Sequence, residues 1–247
     1  MRLITRADFD GLVCAVLLVE KGVVDSYEFV HPKDVQDGKV KITAGDVLAN
    51  VPYSEGCGLW FDHHESEMDR DNFKKLEFQG CVSHAASTAQ VIWDHYGGTD
   101  TFSPYLLSLM RAVNIADAGS FLQEEVLNPT GWILLSFIMD SRTGLGHYKD
   151  YRISNYQLMM DLIQYCRSMP ADEIIELEDV QERVKRYFDH QESFKEMLRS
   201  SSVVRENAII TDLLDTETIF VGNRFIIYAL FPDHNIAVRV MWGRDKQ

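Results

Sequence analysis

Long hydrophobic runs are missing from this chain. The longest apolar stretch, residues 11–19, falls well short of the roughly 20 residues that cross a bilayer, so no membrane-spanning segment is expected. No secretory leader is expected either. Met1 to Arg6 runs straight into Asp8 and Asp10, which does not read as a signal peptide, and the expected location is the cytoplasm. Cysteine is scarce and scattered: Cys14, Cys57, Cys81 and Cys166 form no C-x-x-C pair, which argues against a disulfide framework or a zinc knuckle. Positive charge is in deficit, with 24 Lys and Arg against 38 Asp and Glu. A net charge of −14 repels long polyanions, so neither duplex nucleic acid nor an anionic membrane is an expected partner. Gly56 and Gly58 flank Cys57 without forming a glycine-rich phosphate loop.

What is present suits an α/β protein. Strand-like segments at 2–5, 26–30, 40–44 and 59–61 are separated by polar turns and by a helical run at 11–21. That alternation predicts a parallel sheet with helices on both faces, whose functional groups gather beyond the carboxyl ends of its strands. Helices are expected at 85–96, 104–116, 131–139 and 153–169, the second capped by Ser103 ahead of Pro104. A long charged helix at 177–199 reads as a connector, with Val180, Val184, Tyr187, Phe188 and Phe194 near helical spacing. Beyond it, 203–210, 225–231 and 236–242 read as strands. The expected organisation is a main domain over 1–176, a connector helix over 177–200, and a small β-rich lobe beginning at 201–247. About three strands make a poor independent domain, so that lobe is expected to be incomplete.

The chemistry-bearing residues cluster at predicted strand ends. Asp8 and Asp10, in D-F-D-G, follow the first strand, where two carboxylates can reach neighbouring hard cations or simply cap the next helix. Asp46 follows the segment 40–44, and Asp62-His63-His64 follows Leu59-Trp60-Phe61. In that trio one imidazole can ligate a metal while the other points to substrate, with Asp62 fixing a ring. Asp117 ends a largely apolar helix. Ser87, near a helix start, and Arg142, beside Gly144 and Gly146, are candidates for contact with a substrate phosphate; helix capping and a plain turn are the alternatives.

In this order the four acidic and histidine motifs resemble the DHH phosphoesterase superfamily, over roughly residues 1–200. The segments 5–18 and 58–64 are similar to bacterial proteins called exopolyphosphatase-related. The resemblance implies a hydrolase of phosphodiester or phosphoanhydride bonds. Asp8 would help hold one metal and Asp10 a second; Asp46 would bridge them, with His63 and Asp117 completing the second site. His64 would face the scissile phosphate, supported by Asp62. Manganese is the implied ion, one or two per chain, with magnesium or cobalt as substitutes. The implied partner is a small phosphorylated substrate such as a nucleotide or short single-stranded oligonucleotide, and a homodimer is left open. Polyphosphate or pyrophosphate hydrolysis, or nucleotide sensing without turnover, are the rival functions.

Two departures from the family pattern stand out. Most members carry H-x-D-x-D at the first motif, and Arg6 occupies the place of that histidine. A guanidinium cannot ligate a cation, so Arg6 is expected to pair with a site carboxylate or with phosphate and to leave the first metal position poorly filled. No G-G-G-H substrate-clamping stretch follows residue 203.

Overall fold

A computed structural model of the chain describes residues 1–69 and 73–243. Its contacts divide it into two units, Met1–Ser120 with Asn155–Ile174, and Phe121–Ser154 with Ile175–Gln247. In chain order the elements are β1 Arg2–Arg6, α1 Phe9–Glu20, β2 Ser26–Val30, α2 Pro32–Gln36, β3 Asp46–Ala49, β4 Leu59–Asp62, α3 Glu65–Met68, β5 Gly80–Val82, α4 Thr88–His95 and α5 Leu107–Ala118. There follow α6 Gln123–Leu127, α7 Gly131–Met139, α8 Asn155–Ser168, α9 Ala171–Ile175, α10 Glu178–Ser201, β6 Ser202–Arg205, β7 Ala208–Asp212, α11 Ile226–Leu230 and β8 Ile236–Val240. Among the described residues no helix is long and apolar enough to cross a membrane.

The first unit is built on a five-stranded sheet in the order β2-β1-β3-β4-β5, parallel throughout. Parallel strands require both faces to be covered, and their side chains are accordingly apolar on both. On one face Ile4, Leu48 and Trp60 pack with Val35 and Val51, and Trp60 meets Tyr53, Phe73 and Phe78 edge-on or tilted. On the other, α1 is buried from Phe9 to Leu18 and packs against α4, α5 and α8. A helix apolar all round its circumference needs such complete enclosure. Gly11 sets how closely α1 approaches β1: a Cβ there would lie 2.0 Å from the carbonyl oxygen of Arg6.

The chain leaves β1 for β2 on one side and returns to β3 on the other, so the order reverses between β1 and β3. Beyond the carboxyl ends of these two strands lies the crevice where open α/β sheets place their ligands.

Two expected strands are corrected. Residues 40–44 form no strand; Val40 and Ile42 only pack at the side of the Trp60 cluster. The strand is the next segment, Asp46–Ala49, a short run buried at every position and paired on both sides. Residues 225–231 contain the helix α11 instead of a strand. Asn223 starts it by accepting a hydrogen bond from the Phe225 amide at 3.0 Å, while its own amide donates to Tyr187 Oη and to the Val126 carbonyl. Tertiary anchoring thus outweighs the β propensity of two adjacent isoleucines. The expected strand 203–210 is a hairpin arm pair, β6 and β7, turning at Glu206 with φ 51°. The edge strand β5, just three residues long, carries no periodic signal and was missed.

The second unit has its own core, where Phe194, Met197 and Leu198 of α10 meet Val126, Ile209, Leu213, Ile226 and Ile227. Its three-stranded sheet is mixed, β7 pairing antiparallel with β6 and parallel with β8.

Candidate metal centre

Asp10, His63 and Asp117 come together: one ligand atom of each lies within 4.8 Å of the others. They arrive from three elements of the first unit. Asp10 sits in the first turn of α1, buried, with 2% of its surface exposed. Its Oδ2 accepts from the Thr88 amide at 3.0 Å and its Oδ1 from the Ala89 amide at 2.8 Å, so the carboxylate also caps the start of α4. Those donors do not offset its surroundings. Burial, then the charges of Asp117 and Asp8, push its pKa up to about 7 against the pull of the Ala89 amide and His63.

His63 follows β4. Its Nδ1 lies 3.2 Å from the Ala85 carbonyl, which can only accept, so Nδ1 carries the proton and Nε2 is turned to the acidic pair. Nε2 lies 2.9 Å from Asp117 Oδ2, yet it is buried and makes no well-directed hydrogen bond. Burial lowers the His63 pKa, but the hydrogen-bonding approach of Asp117 and the Asp10 charge outweigh it and raise it to about 9. Asp117 occupies the last turn of α5, before Gly119 with φ 65° closes the helix. A carboxylate is disfavoured at a helix C-terminus, so its place there answers to the histidine and the site.

A buried imidazole nitrogen without an aligned partner, facing two carboxylates of which one has its pKa raised by burial and then by like charge, is a donor set that fits a divalent cation.

The remaining expected residues fall into two groups. Asp62 is buried, and its Oδ1 accepts from the amides of His63 and His64 at 2.7 and 3.0 Å and from His64 Nδ1 at 2.6 Å. The Asp62 carboxylate therefore fixes the His64 ring, raising its pKa, while the His63 ring is held by Ala85 and Asp117. Asp8 does not join the cluster. Its Oδ2 pairs with Arg6 Nε at 2.9 Å, and its Oδ1 accepts from the Gly11 amide and from Asn50 Nδ2, each at 2.9 Å. Arg6, Asn50, Asp62 and His64 share a cavity of about 110 Å³ with Pro32 and Glu67.

Asp46 is placed elsewhere. It begins β3, at the amino end of the sheet, where its carboxylate takes Arg2 Nε at 2.8 Å and the Thr43 amide and hydroxyl at 2.7 and 2.9 Å. The misplaced strand at 40–44 is what had put Asp46 at a carboxyl end. The residue that does follow β3 is Asn50, which sequence reasoning passed over. Its φ of 56° is the left-handed conformation that asparagine tolerates better than most residues, and an A-N-V-P turn after a buried run was its available signal. Ser87 is fully buried, its hydroxyl accepting from the Gln90 amide and donating to Asn114 Oδ1 at 2.7 Å. That hydroxyl caps α4 and braces it to α5, the arrangement of the capping alternative. Arg142 belongs to the second unit, where Asp140 takes its Nε and Nη2 at 2.8 Å each.

No protein-family model matches the chain, and no curated protein matches it. A solved structure does: the pGpG-specific phosphodiesterase PggH from Vibrio cholerae, with a TM-score of 0.87 and 49% sequence identity over 100% of this chain and 79% of the other.

Proposed function

The chain belongs to the same family as that pGpG-specific phosphodiesterase, and from this premise we propose that it is a metal-dependent phosphodiesterase of the DHH type acting on short 5′-phosphorylated oligonucleotides such as pGpG. The observation that carries the reading is the Asp10–His63–Asp117 cluster at the carboxyl edge of the sheet, in a chain alike from end to end to a phosphodiesterase.

Asp10, His63 and Asp117 would hold the cation, which we take to be manganese. Bound there, it supplies Lewis-acid polarisation of the phosphoryl group and lowers the pKa of water. The chain's own residues do the rest. Asp10 and Asp117 set the negative charge that holds the ion, and the Ala85 carbonyl keeps the His63 tautomer with Nε2 turned inward. Asp62 grips Nδ1 of His64 and raises its pKa, so His64 stays charged to higher pH and its Nε2 can give a proton to the leaving 3′ oxygen as the P–O3′ bond breaks. The fixed pair of Asp62 and His64 thus acts as general acid. Arg142 is proposed as a contact for a substrate phosphate, and the segment 201–247 as part of a substrate lobe.

The test is a panel of substrates with manganese supplied or chelated: pGpG, a pentanucleotide, pyrophosphate and polyphosphate. Manganese-dependent release of GMP from pGpG, fastest among the four, is expected. Faster cleavage of polyphosphate or pyrophosphate would make the chain a phosphoanhydride hydrolase, and pGpG binding without turnover would make it a sensor.

A further inference from the structure

Asp8, Arg6 and Asn50 make a constellation that the three-residue cluster does not use. Asp8 accepts from Gly11 and Asn50 on one oxygen and from the Arg6 guanidinium on the other, all at 2.9 Å. An ionised carboxylate has about four acceptor positions; three are taken here, one by a fixed positive charge. Asn50 presents its amide NH₂ to Asp8, and an amide NH₂ is a donor with nothing to offer a cation. Asp46, the other candidate for a bridging ligand, is engaged with Arg2 and Thr43 at the opposite end of the strand. Among the described residues the metal-capable group consists of Asp10, His63 and Asp117, without Asp8.

From this geometry, and resting on the phosphodiesterase reading above, we infer that the centre takes a single divalent cation and that the Arg6 guanidinium, held by Asp8, which Asn50 braces in turn, serves as the second positive pole that grips a non-bridging oxygen of the phosphodiester. The guanidinium is suited to the task. Asp8 engages Arg6 through Nε, the side chain stays 42% exposed, and it lines the cavity that also holds Asn50 and His64. A guanidinium forks onto two oxygens, keeps its charge at every working pH and needs no loading. A cation brought against Asp8 would instead meet that like charge at ion-pair distance. The exchange also bears on substrate class. One dication with one guanidinium carries less positive charge than two dications. That matches the single negative charge of a diester better than the several charges of pyrophosphate or polyphosphate.

Native mass spectrometry of the protein titrated with manganese alone counts the ions without requiring turnover. One ion per chain is expected for the wild type. The double variant Arg6→His, Asn50→Asp removes the guanidinium and supplies two ligands, and should take up a second ion. Two tightly held ions in the wild type would overturn the inference, whether or not pGpG is hydrolysed; failure of hydrolysis with one ion bound would overturn the functional reading alone. Arg6→Gln separates the clamp from the ion. It should leave manganese affinity within about threefold and lower kcat/KM on the diester by roughly a hundredfold, the scale of losing one preorganised donor to the developing charge. Unchanged kcat/KM would overturn the clamp. Should the double variant fail to fold, wild-type stoichiometry and Arg6→Gln still decide both halves.

Discussion

Raising the pH from 7 to 9 should strengthen manganese binding at the Asp10–His63–Asp117 cluster by about fiftyfold, because the ion must displace a proton from His63, whose pKa is raised to about 9. Each pH unit below that value leaves about a tenth as much of the neutral imidazole, so affinity should rise about tenfold per unit and level off above pH 9. Below pH 7 the slope should steepen, since Asp10, raised to about 7, then also takes up a proton. The same groups act on the metal-free fold. His63 gains its proton more readily folded than unfolded, so the stability it contributes is complete below its unfolded value of about 6.5 and is lost as pH rises through about 9. Asp10 ionises less readily folded than unfolded, so stability also falls as pH rises from about 3.8 through about 7. Chelated protein should therefore melt at progressively lower temperature between pH 6 and 9, while manganese-loaded protein is protected. Calorimetric titration at four pH values, with melting curves in parallel, measures both. A manganese affinity that is flat from pH 7 to 9 would show that His63 is not displaced by the ion.

Other perturbations separate the roles further. His63→Ala should weaken manganese affinity and be partly rescued by excess metal, whereas His64→Ala should leave affinity near normal and lower kcat; the reverse pattern would exchange the two histidines. Asp46→Asn should cost about 1–2 kcal/mol of stability, through its contacts to Arg2 and Thr43, with no change in manganese affinity. A loss of metal binding in that variant would return Asp46 to the site. Gly11→Ala should destabilise by about 3 kcal/mol, because its methyl would press on the Arg6 carbonyl; a chemical melt within 1 kcal/mol of wild type would mean that α1 and β1 part easily there.

Much of the fold was legible because its signals are local. The helix expected at 131–139 is α7 to the residue, and β1, β2 and β4 lie where alternation and turn chemistry put them. The grouping of Asp10, His63 and Asp117 was legible because each motif sits directly on an element end: Asp10 after β1, His63 after β4 and Asp117 at the close of α5. The expected place of Asp46 after a strand is corrected for a physical reason. A four-residue strand buried on both faces has no period to distinguish it from a neighbouring V-K-I run, and a shift of a few residues moves a carboxylate to the other end of the sheet. Asn50 escaped notice because its role depends on a left-handed turn and on the position of Asp8, both of them tertiary facts. Pairing of Arg6 with a site carboxylate was one of the two roles its charge beside Asp8 suggested, while the hydrogen bond from Asn50 to that same carboxylate had no sequence signal.

The most direct measurement is a time course of pGpG turnover by the manganese-loaded protein, read by chromatography of the nucleotides, beside Asp10→Asn and after chelation. The account predicts that pGpG is converted to two equivalents of GMP, that chelation stops the reaction and added manganese restores it, and that Asp10→Asn lowers kcat/KM by at least about a hundredfold. Hydrolysis that persists undiminished after chelation, or in Asp10→Asn, would contradict it.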